Sequence, residues 1–164
     1  MNLKHNNFAT FAMNIFRGYN HEKYWRRREI VAAPNNSFNF LLKGYYLWYI
    51  KRAVAKKNNC GFDPNFNSGV YFETPPILPH ELNGIIIGLD LTFGKNLIIN
   101  HQFTILHRGG SIGNNVLFGA GSKVLSGFNV GSDSKIGMNA VVTKNIPCNA
   151  AVVLHKSRII KKCI

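Results

Sequence analysis

Two histidines, His80 and His101, have the residue type and the spacing for proton-transfer chemistry. Each lies two positions after an aliphatic residue, Leu78 in one case and Ile99 in the other. An imidazole suits a general base because its ordinary pKa lies near neutral pH. If the two segments stack in register, the rings lie about one strand spacing apart, roughly 4.8 Å. Two imidazoles at that distance disfavour double protonation, so we expect at least one to stay neutral, as a base requires.

The elements that must position these histidines follow from a period of six. Apolar residues recur at this interval through the second half of the chain, and glycine follows many of them. They are Ile87, Phe93, Ile99, Ile105, Ile112, Phe118, Val124, Val130, Ile136 and Val142. This period is the signature of a parallel β-helix, in which three hexads form one coil of about 18 residues. Small or apolar residues expected to fit the narrow interior are Val116, Ser122, Ser134 and Ala140.

Two interruptions of the period locate surface loops. Leu78 and Ile87 are nine residues apart instead of six, and one extra residue lies between Ile105 and Ile112. Insertions in solenoids map to surface loops and often line the binding face. The first interruption contains His80, so the predicted base lies on such a loop.

Composition predicts one domain with a helical appendage. The chain has 164 residues, 46% of them hydrophobic, and three cysteines. The odd number of cysteines without motif spacing favours free thiols in a reducing compartment, and we expect no metal site. Neither a membrane span nor a signal peptide is expected. We therefore predict a helical segment over residues 1–59, a coil over 60–150 and a basic tail over 151–164.

The helical segment is strongly basic. Residues 1–57 carry eleven Lys or Arg and two Glu, and helices are expected over residues 20–30 and 38–57. The favoured role of the second helix is packing on the coil or on a partner subunit. Contact with an anionic membrane surface is the alternative, because the helix is aromatic and basic. Nucleic acid is not an expected partner, since the recognition motifs are missing.

The motifs of the coil resemble those of the left-handed β-helix (hexapeptide) acyltransferases. The resemblance is carried by residues 78–80, 84–87, 111–116, 119–124 and 136–147. It is closest to the serine acetyltransferase and polysaccharide O-acetyltransferase branch. The family implies a left-handed coil that assembles as a homotrimer and uses acetyl-CoA as co-substrate. It also implies direct acetyl transfer to a hydroxyl, and His80 lies where the family places its catalytic base.

The acceptor is expected to be a saccharide hydroxyl, in capsule or exopolysaccharide synthesis. Residues 24–29 and the following helix resemble the short front end of capsule acetyltransferases, whereas serine acetyltransferases usually carry a larger helical domain. Serine O-acetylation is the alternative enzyme activity. An inactive scaffold or membrane-surface adaptor is the non-enzyme alternative. The expected location is the cytoplasm, at the inner membrane surface if the basic segment binds lipid.

The resemblance also implies residues around the base. The family's aspartate before the base is replaced by Pro79, and four candidates could orient His80: Glu73, Glu81, Asn83 and Asn100. His101 is expected to share the catalytic site, whereas the spacing of His107 from His80 does not match the family's second histidine. Family positions that let the pantetheine arm approach the backbone correspond to Ala120, Gly121, Ser122 and Ala140. Candidates for pairing with the phosphates of CoA are Lys144, Lys156 and Arg158.

Overall fold

The structure, a computed structural model, describes residues 19–33, 38–55, 69–106 and 109–154. These ranges contain helices α1 (His21–Ala32) and α2 (Phe40–Ala55), followed by eleven strands of two residues each. The strands are β1 (Tyr71–Phe72), β2 (Ile86–Ile87), β3 (Thr92–Phe93), β4 (Ile98–Ile99), β5 (Thr104–Ile105), β6 (Ser111–Ile112), β7 (Leu117–Phe118), β8 (Lys123–Val124), β9 (Lys135–Ile136), β10 (Val141–Val142) and β11 (Ala151–Val152).

The strands form three parallel sheets, which are the three faces of a coil. Sheet 1 contains β2, β5, β8 and β10, sheet 2 contains β1, β3 and β6, and sheet 3 contains β4, β7, β9 and β11. From β2 to β8 successive strands enter sheets 1, 2 and 3 in rotation, so the chain turns a corner after every hexad. In the later coils, isolated bridges at Val130 and Ile146 continue sheet 2 in place of strands. Ile87, Ile105, Val124 and Val142 are therefore direct neighbours in sheet 1. The predicted mainly-β parallel solenoid is confirmed.

The interior of the coil is filled by the residues of the six-residue period. Ile87, Ile99, Phe118 and Ile136 are completely buried, because each points inward from a strand whose other residue points outward. The small residues predicted to fit the interior are also buried: Val116, Ser122, Ser134 and Ala140. At Gly119 an added Cβ would lie 2.6 Å from the backbone nitrogen of Met138, which explains why a hexad needs glycine there.

Helix α1 connects the helical segment to the first coil. The side chain of Asn20 accepts a hydrogen bond from the backbone N–H of Lys23 at 2.9 Å and caps the helix. The Trp25 and Phe72 ring centroids lie 4.9 Å apart in an edge-to-face contact. The buried Arg28 donates to the carbonyl oxygen of Val70 at 2.6 Å. These contacts attach α1 to the beginning of the coil.

Helix α2 packs against α1 through aromatic and cationic groups. The guanidinium of Arg27 lies 4.0 Å from the centroid of the Tyr49 ring and 5.2 Å from that of Tyr46. Two of the three consecutive arginines of the basic helical segment, Arg27 and Arg28, therefore contribute to packing. Within the described ranges, no helix is long and apolar enough to cross a membrane.

Candidate functional site

The corner between sheets 3 and 1, here called the histidine corner, carries the predicted base. Its course is set by tight turns, one per coil. In residues 119–122 the N–H of Ser122 donates to the oxygen of Gly119 at 3.2 Å, and Ala140 repeats this bond to Gly137. The third residue of each turn has a positive φ, +69° at Gly121 and +55° at Asn139. This geometry leaves the second residue of each turn on the outer edge of the coil.

His80 and His101 meet at this corner. Their ring centroids are 4.7 Å apart and the ring planes are nearly perpendicular, at 88°. Residues Ile77 and Ile98 form a parallel bridge, which places Leu78 beside Ile99. The prediction that the two histidines lie in one column, about one coil spacing apart, is therefore confirmed. The prediction from register was sufficient because each histidine lies at the same offset from its aligned aliphatic residue.

The two imidazoles have different surroundings. The His80 side chain is exposed, whereas His101 is partly buried. The Nδ1 atom of His101 is shielded from solvent and has no hydrogen-bond partner in the described part of the chain. The exposed His80 ring is thus the one that an external hydroxyl can reach, and the partly buried His101 ring packs against it.

The loop created by the extra residues in the first coil holds His80 in place. It contains two successive turns, in which Glu81 donates to Leu78 at 3.1 Å and Ile85 donates to Leu82 at 3.3 Å. Pro79 is the second residue of the first turn, a position that its fixed φ favours. The side-chain amide of Asn83 donates to the carbonyl oxygen of His80 at 2.9 Å. The departure from the family at Pro79 therefore has a structural use, because it fixes the turn that presents His80.

The histidines line a shallow pocket of about 290 Å³ together with Asn83, Gly84 and Gln102. The backbone N–H of Gln102 donates to the oxygen of Asn83 at 2.9 Å, which ties the loop to the next coil. At Gly84, where φ is +63°, an added Cβ would lie 3.2 Å from Cγ of Gln102. Sequence reasoning did not identify Gln102 as a lining residue. Its position directly after His101, at a corner, is the signal that could have done so.

The four candidates for orienting the base are separated by the structure. Glu73 forms an ion pair with Lys95 at 2.8 Å, at a different corner. Asn100 donates its side-chain amide to the oxygen of Phe118 at 2.8 Å. Asn83 contacts the backbone of His80, and Glu81 is the next residue along the turn. Asn83 and Glu81 are therefore the two candidates that remain beside the base.

Two of the residues assigned to the pantetheine arm lie next to the histidines. The N–H of Gly121 donates to the oxygen of His101 at 3.0 Å, so Ala120 and Gly121 occupy the same corner one coil further on. The side chains of Ser122 and Ala140 instead lie in the interior of the coil. Their backbone N–H and carbonyl groups are hydrogen-bonded within the coil, so the structure does not place these two residues on the surface that a ligand would contact.

Among the cationic candidates, Lys144 lies within the described residues, and it is not brought to this corner. Lys144 is exposed at the corner between sheets 1 and 2, where it lines a separate cavity of about 400 Å³ at the end of the described coil. Lys156, Arg158 and His107 lie outside the described residues. No group of three His, Cys, Asp or Glu side chains in the described ranges could hold a metal ion.

Comparisons with known proteins identify relatives of the coil. A family model described as "hexapeptide repeat of succinyl-transferase" matches residues 111–144. The serine acetyltransferase of Mycobacterium tuberculosis is 40% identical over 124 residues, which cover 66% of this chain and 52% of that protein. That of Buchnera aphidicola from Schizaphis graminum is 30% identical over 131 residues, which cover 72% of this chain and 50% of that protein. The chain spans about half the length of the curated relatives it matches.

Solved structures agree with this result. Serine acetyltransferase isoform 3 of Entamoeba histolytica, in complex with cysteine, has a TM-score of 0.60 and 26% identity, covering 73% of this chain and 44% of that chain. The serine acetyltransferase of Neisseria gonorrhoeae, in complex with serine, has a TM-score of 0.59 and 19% identity, covering 84% of this chain and 54% of that chain. The second similarity supports the fold alone.

These relatives overturn the expected acceptor. The prediction of a saccharide hydroxyl, and with it a role in capsule synthesis, is wrong, because the similar proteins are serine acetyltransferases at up to 40% identity. The prediction rested on the resemblance of the helical segment ahead of the coil to the front end of capsule acetyltransferases. The comparisons lend no support to contact with a membrane.

Proposed function

We propose that this chain, whose coil belongs to the left-handed β-helix acyltransferases with hexapeptide repeats, transfers the acetyl group of acetyl-CoA to the hydroxyl of L-serine. The proposal rests on the histidine pair at the histidine corner, in a chain that is 40% identical over 124 residues to a serine acetyltransferase. The family favours an enzyme over an inactive scaffold. Serine O-acetylation was the alternative suggested by the sequence, and it now takes the place of the saccharide.

His80 is the proposed general base. Its exposed imidazole removes the proton from the serine hydroxyl while the oxygen attacks the carbonyl carbon of the thioester. The tetrahedral intermediate then expels the CoA thiolate, which recovers a proton from the imidazolium, so O-acetylserine and CoA are released. His101 is the proposed partner that supports the His80 ring at a centroid distance of 4.7 Å. Asn83 supports the same ring indirectly, through the backbone of His80.

The acetyl donor is proposed to lie along the histidine corner. Ala120 and Gly121 follow the histidines in the same column and present little side chain. An added Cβ at Gly121 would collide with the side-chain oxygen of Asn139, so adjacent coils can approach this closely only with glycine there. Gly121 itself is buried, which leaves the partly exposed Ala120 as the position at this edge that the donor can contact. Lys144, Lys156 and Arg158 remain candidates for the phosphates. A cytoplasmic location, where acetyl-CoA is available, stays a prediction.

A homotrimer is the proposed assembly. Outward-facing residues of sheet 1 and its following corner form an apolar surface that a neighbouring copy could cover. Ile86 and Val141 are 40% and 46% exposed, and Leu106 and Leu125 are 47% and 40% exposed. Sedimentation equilibrium tests the proposal, since a trimer has three times the mass of the 18.4 kDa chain. A monomeric mass across micromolar concentrations would contradict it.

The activity is tested by incubating the full chain with acetyl-CoA and L-serine and measuring free thiol. We expect serine-dependent thiol release that falls about 100-fold or more in His80→Ala, the typical contribution of a general base. His21→Ala is the matched control, because His21 is a partly buried histidine outside this pocket. It is expected to retain activity.

Two outcomes would count against the proposal in different ways. If L-serine does not raise thiol release above the hydrolysis of acetyl-CoA alone, the acceptor assignment fails. If His80→Ala turns over L-serine at nearly the wild-type rate, the assignment of the base fails while the acceptor stands.

A further inference from the structure

Helix α2 exposes an apolar and aromatic face beside its contact with α1, where the guanidinium of Arg27 lies 5.7 Å from the centroid of the Tyr45 ring. Leu41, Tyr45 and Trp48 are 77%, 52% and 56% exposed. Together with Arg52 they are spaced four, three and four residues apart, which places them along one side of a helix. We call these four residues the α2 stripe. Exposed apolar surfaces of this kind usually mark interaction sites.

The stripe is held as an ordered surface by its own contacts. The rings of Tyr45 and Trp48 are stacked with centroids 6.1 Å apart. The guanidinium of Arg52 lies 5.5 Å from the centroid of the Trp48 ring. Aromatic side chains are therefore presented next to a cation, the combination found where helices lie in the headgroup region of a bilayer.

The charge of the described residues is concentrated on the two helices. Residues 19–33 and 38–55 carry seven Lys or Arg and two Glu, a net charge of +5. The described coil, residues 69–106 and 109–154, carries four Lys and four Asp or Glu, a net charge of zero. Helix α2 itself contains no acidic residue. The apolar stripe thus lies on the positively charged part of the described structure.

We propose that the α2 stripe binds an anionic lipid surface. A lipid headgroup region can bury Leu41 and Trp48 while anionic headgroups attract Lys51 and Arg52. Nucleic acid would match the charge but offers little apolar surface for Leu41. A second α2 helix would bring the same cations together. This inference does not depend on the proposed acetyl transfer.

The test uses the full chain with vesicles of equal parts phosphatidylglycerol and phosphatidylcholine, and with vesicles of phosphatidylcholine alone. The chain has two tryptophans, of which Trp25 is buried and Trp48 is exposed. Insertion of the stripe therefore predicts a blue shift of tryptophan emission with the anionic vesicles, contributed by Trp48. The shift and co-sedimentation should weaken as salt is raised, because the attraction is screened.

Variants locate the contact. Leu41→Ser with Tyr45→Ser is expected to lower vesicle affinity at least tenfold, and Arg52→Glu about fivefold or more. Trp48→Phe removes the exposed indole, so it should abolish the emission shift. It keeps an aromatic ring at this position, so co-sedimentation should persist. Val153→Ser is the matched apolar control, because Val153 is 76% exposed on the coil, and Lys135→Glu is the charge control. Both controls should bind as the unaltered chain does.

Three results would overturn the proposal. One is the absence of binding to anionic vesicles at low salt. Another is binding that both the Leu41→Ser/Tyr45→Ser variant and Arg52→Glu leave unchanged, which would place the contact elsewhere. The third is a stripe-dependent change in the mass of the protein without vesicle binding, which would assign the stripe to a second copy of the chain. Because thiol release is measured separately, failure here leaves the proposed activity untouched.

Discussion

Two corners of the coil use the same backbone turn for different purposes. The histidine corner joins sheets 3 and 1, and the corner between sheets 2 and 3, here called the asparagine corner, contains Asn96, Asn115, Asp133 and Asn149. All four have a positive φ, between +55° and +60°. The Asn96 side chain donates to Asn115 at 3.2 Å, and that of Asn115 donates to Asp133 at 2.9 Å. The asparagine corner thus carries a side-chain ladder from Asn96 through Asn115 to Asp133, and the backbone N–H of Asn149 donates to the oxygen of Ser132.

In the part of the chain that the structure describes, the histidine corner has no comparable ladder of side-chain hydrogen bonds from coil to coil. Its equivalent residues with positive φ are Gln102, Gly121 and Asn139, whose side chains form no such ladder within the described residues. His80, His101 and Gln102 instead face a pocket. A corner whose side chains hydrogen-bond to each other thus stabilises the coil. A corner whose polar side chains face a pocket can instead bind a substrate.

The largest expected effect comes from replacing His101 by asparagine, the residue type of the asparagine corner. We expect His101→Asn to lower kcat for serine acetylation about 100-fold, because it removes the ring that supports the base. The melting temperature should stay within about 2 °C, since the His101 side chain bonds to no other described residue through Nδ1. A fall in melting temperature well beyond about 2 °C would show that His101 has a structural role.

A smaller effect, on stability, is expected at the asparagine corner. Asn115→Ala removes two ladder hydrogen bonds and places alanine at φ +56°, so we expect about 1–3 kcal/mol lower stability in urea unfolding. Asn115→Gly removes the same bonds without the backbone strain, and the difference between the variants isolates that strain. Activity per folded molecule should not change. Reduced kcat in Asn115→Gly would contradict the separation of the two corners.

Asn83 tests whether a single side-chain bond can matter at the histidine corner. We expect Asn83→Ala to lower kcat roughly three- to tenfold with less than about 1 kcal/mol of destabilisation, because it frees the carbonyl oxygen of His80. Asn83→Asp keeps the size but cannot donate, so it should behave like the alanine variant. A wild-type rate in both variants would remove Asn83 from the site.

The smallest effect is expected from the exposed ion pair beside the asparagine ladder. The hydrogen bond and charge of Glu73 raise the pKa of Lys95, whose ammonium is fully exposed. Glu73→Gln should therefore lower the pKa of Lys95, as followed by NMR titration. Stability and activity should stay unchanged within error, because exposed pairs contribute little. A clear drop in melting temperature would show that the corner depends on this pair.

Much of the fold and part of the site could be predicted from the sequence. The six-residue period identifies inward-facing residues directly, and counting across the interruption at residues 79–84 placed His80 beside His101. Prediction was weaker where several polar residues lie near each other in sequence. Four residues were equal candidates to orient the base: Glu73, Glu81, Asn83 and Asn100. Only the coil decides that Glu73 meets Lys95 and Asn100 meets Phe118.

The sequence by itself therefore determined the coil and the register of its histidines, because a solenoid repeats the same local geometry every coil. Tertiary structure alone decided what each polar side chain contacts, since those partners lie one coil away and at different corners. It also decided that Arg27 packs between the two helices and Arg28 bonds to the beginning of the coil, while the α2 stripe stays exposed. Charge can be counted along a chain, but the surface that presents it is created by packing.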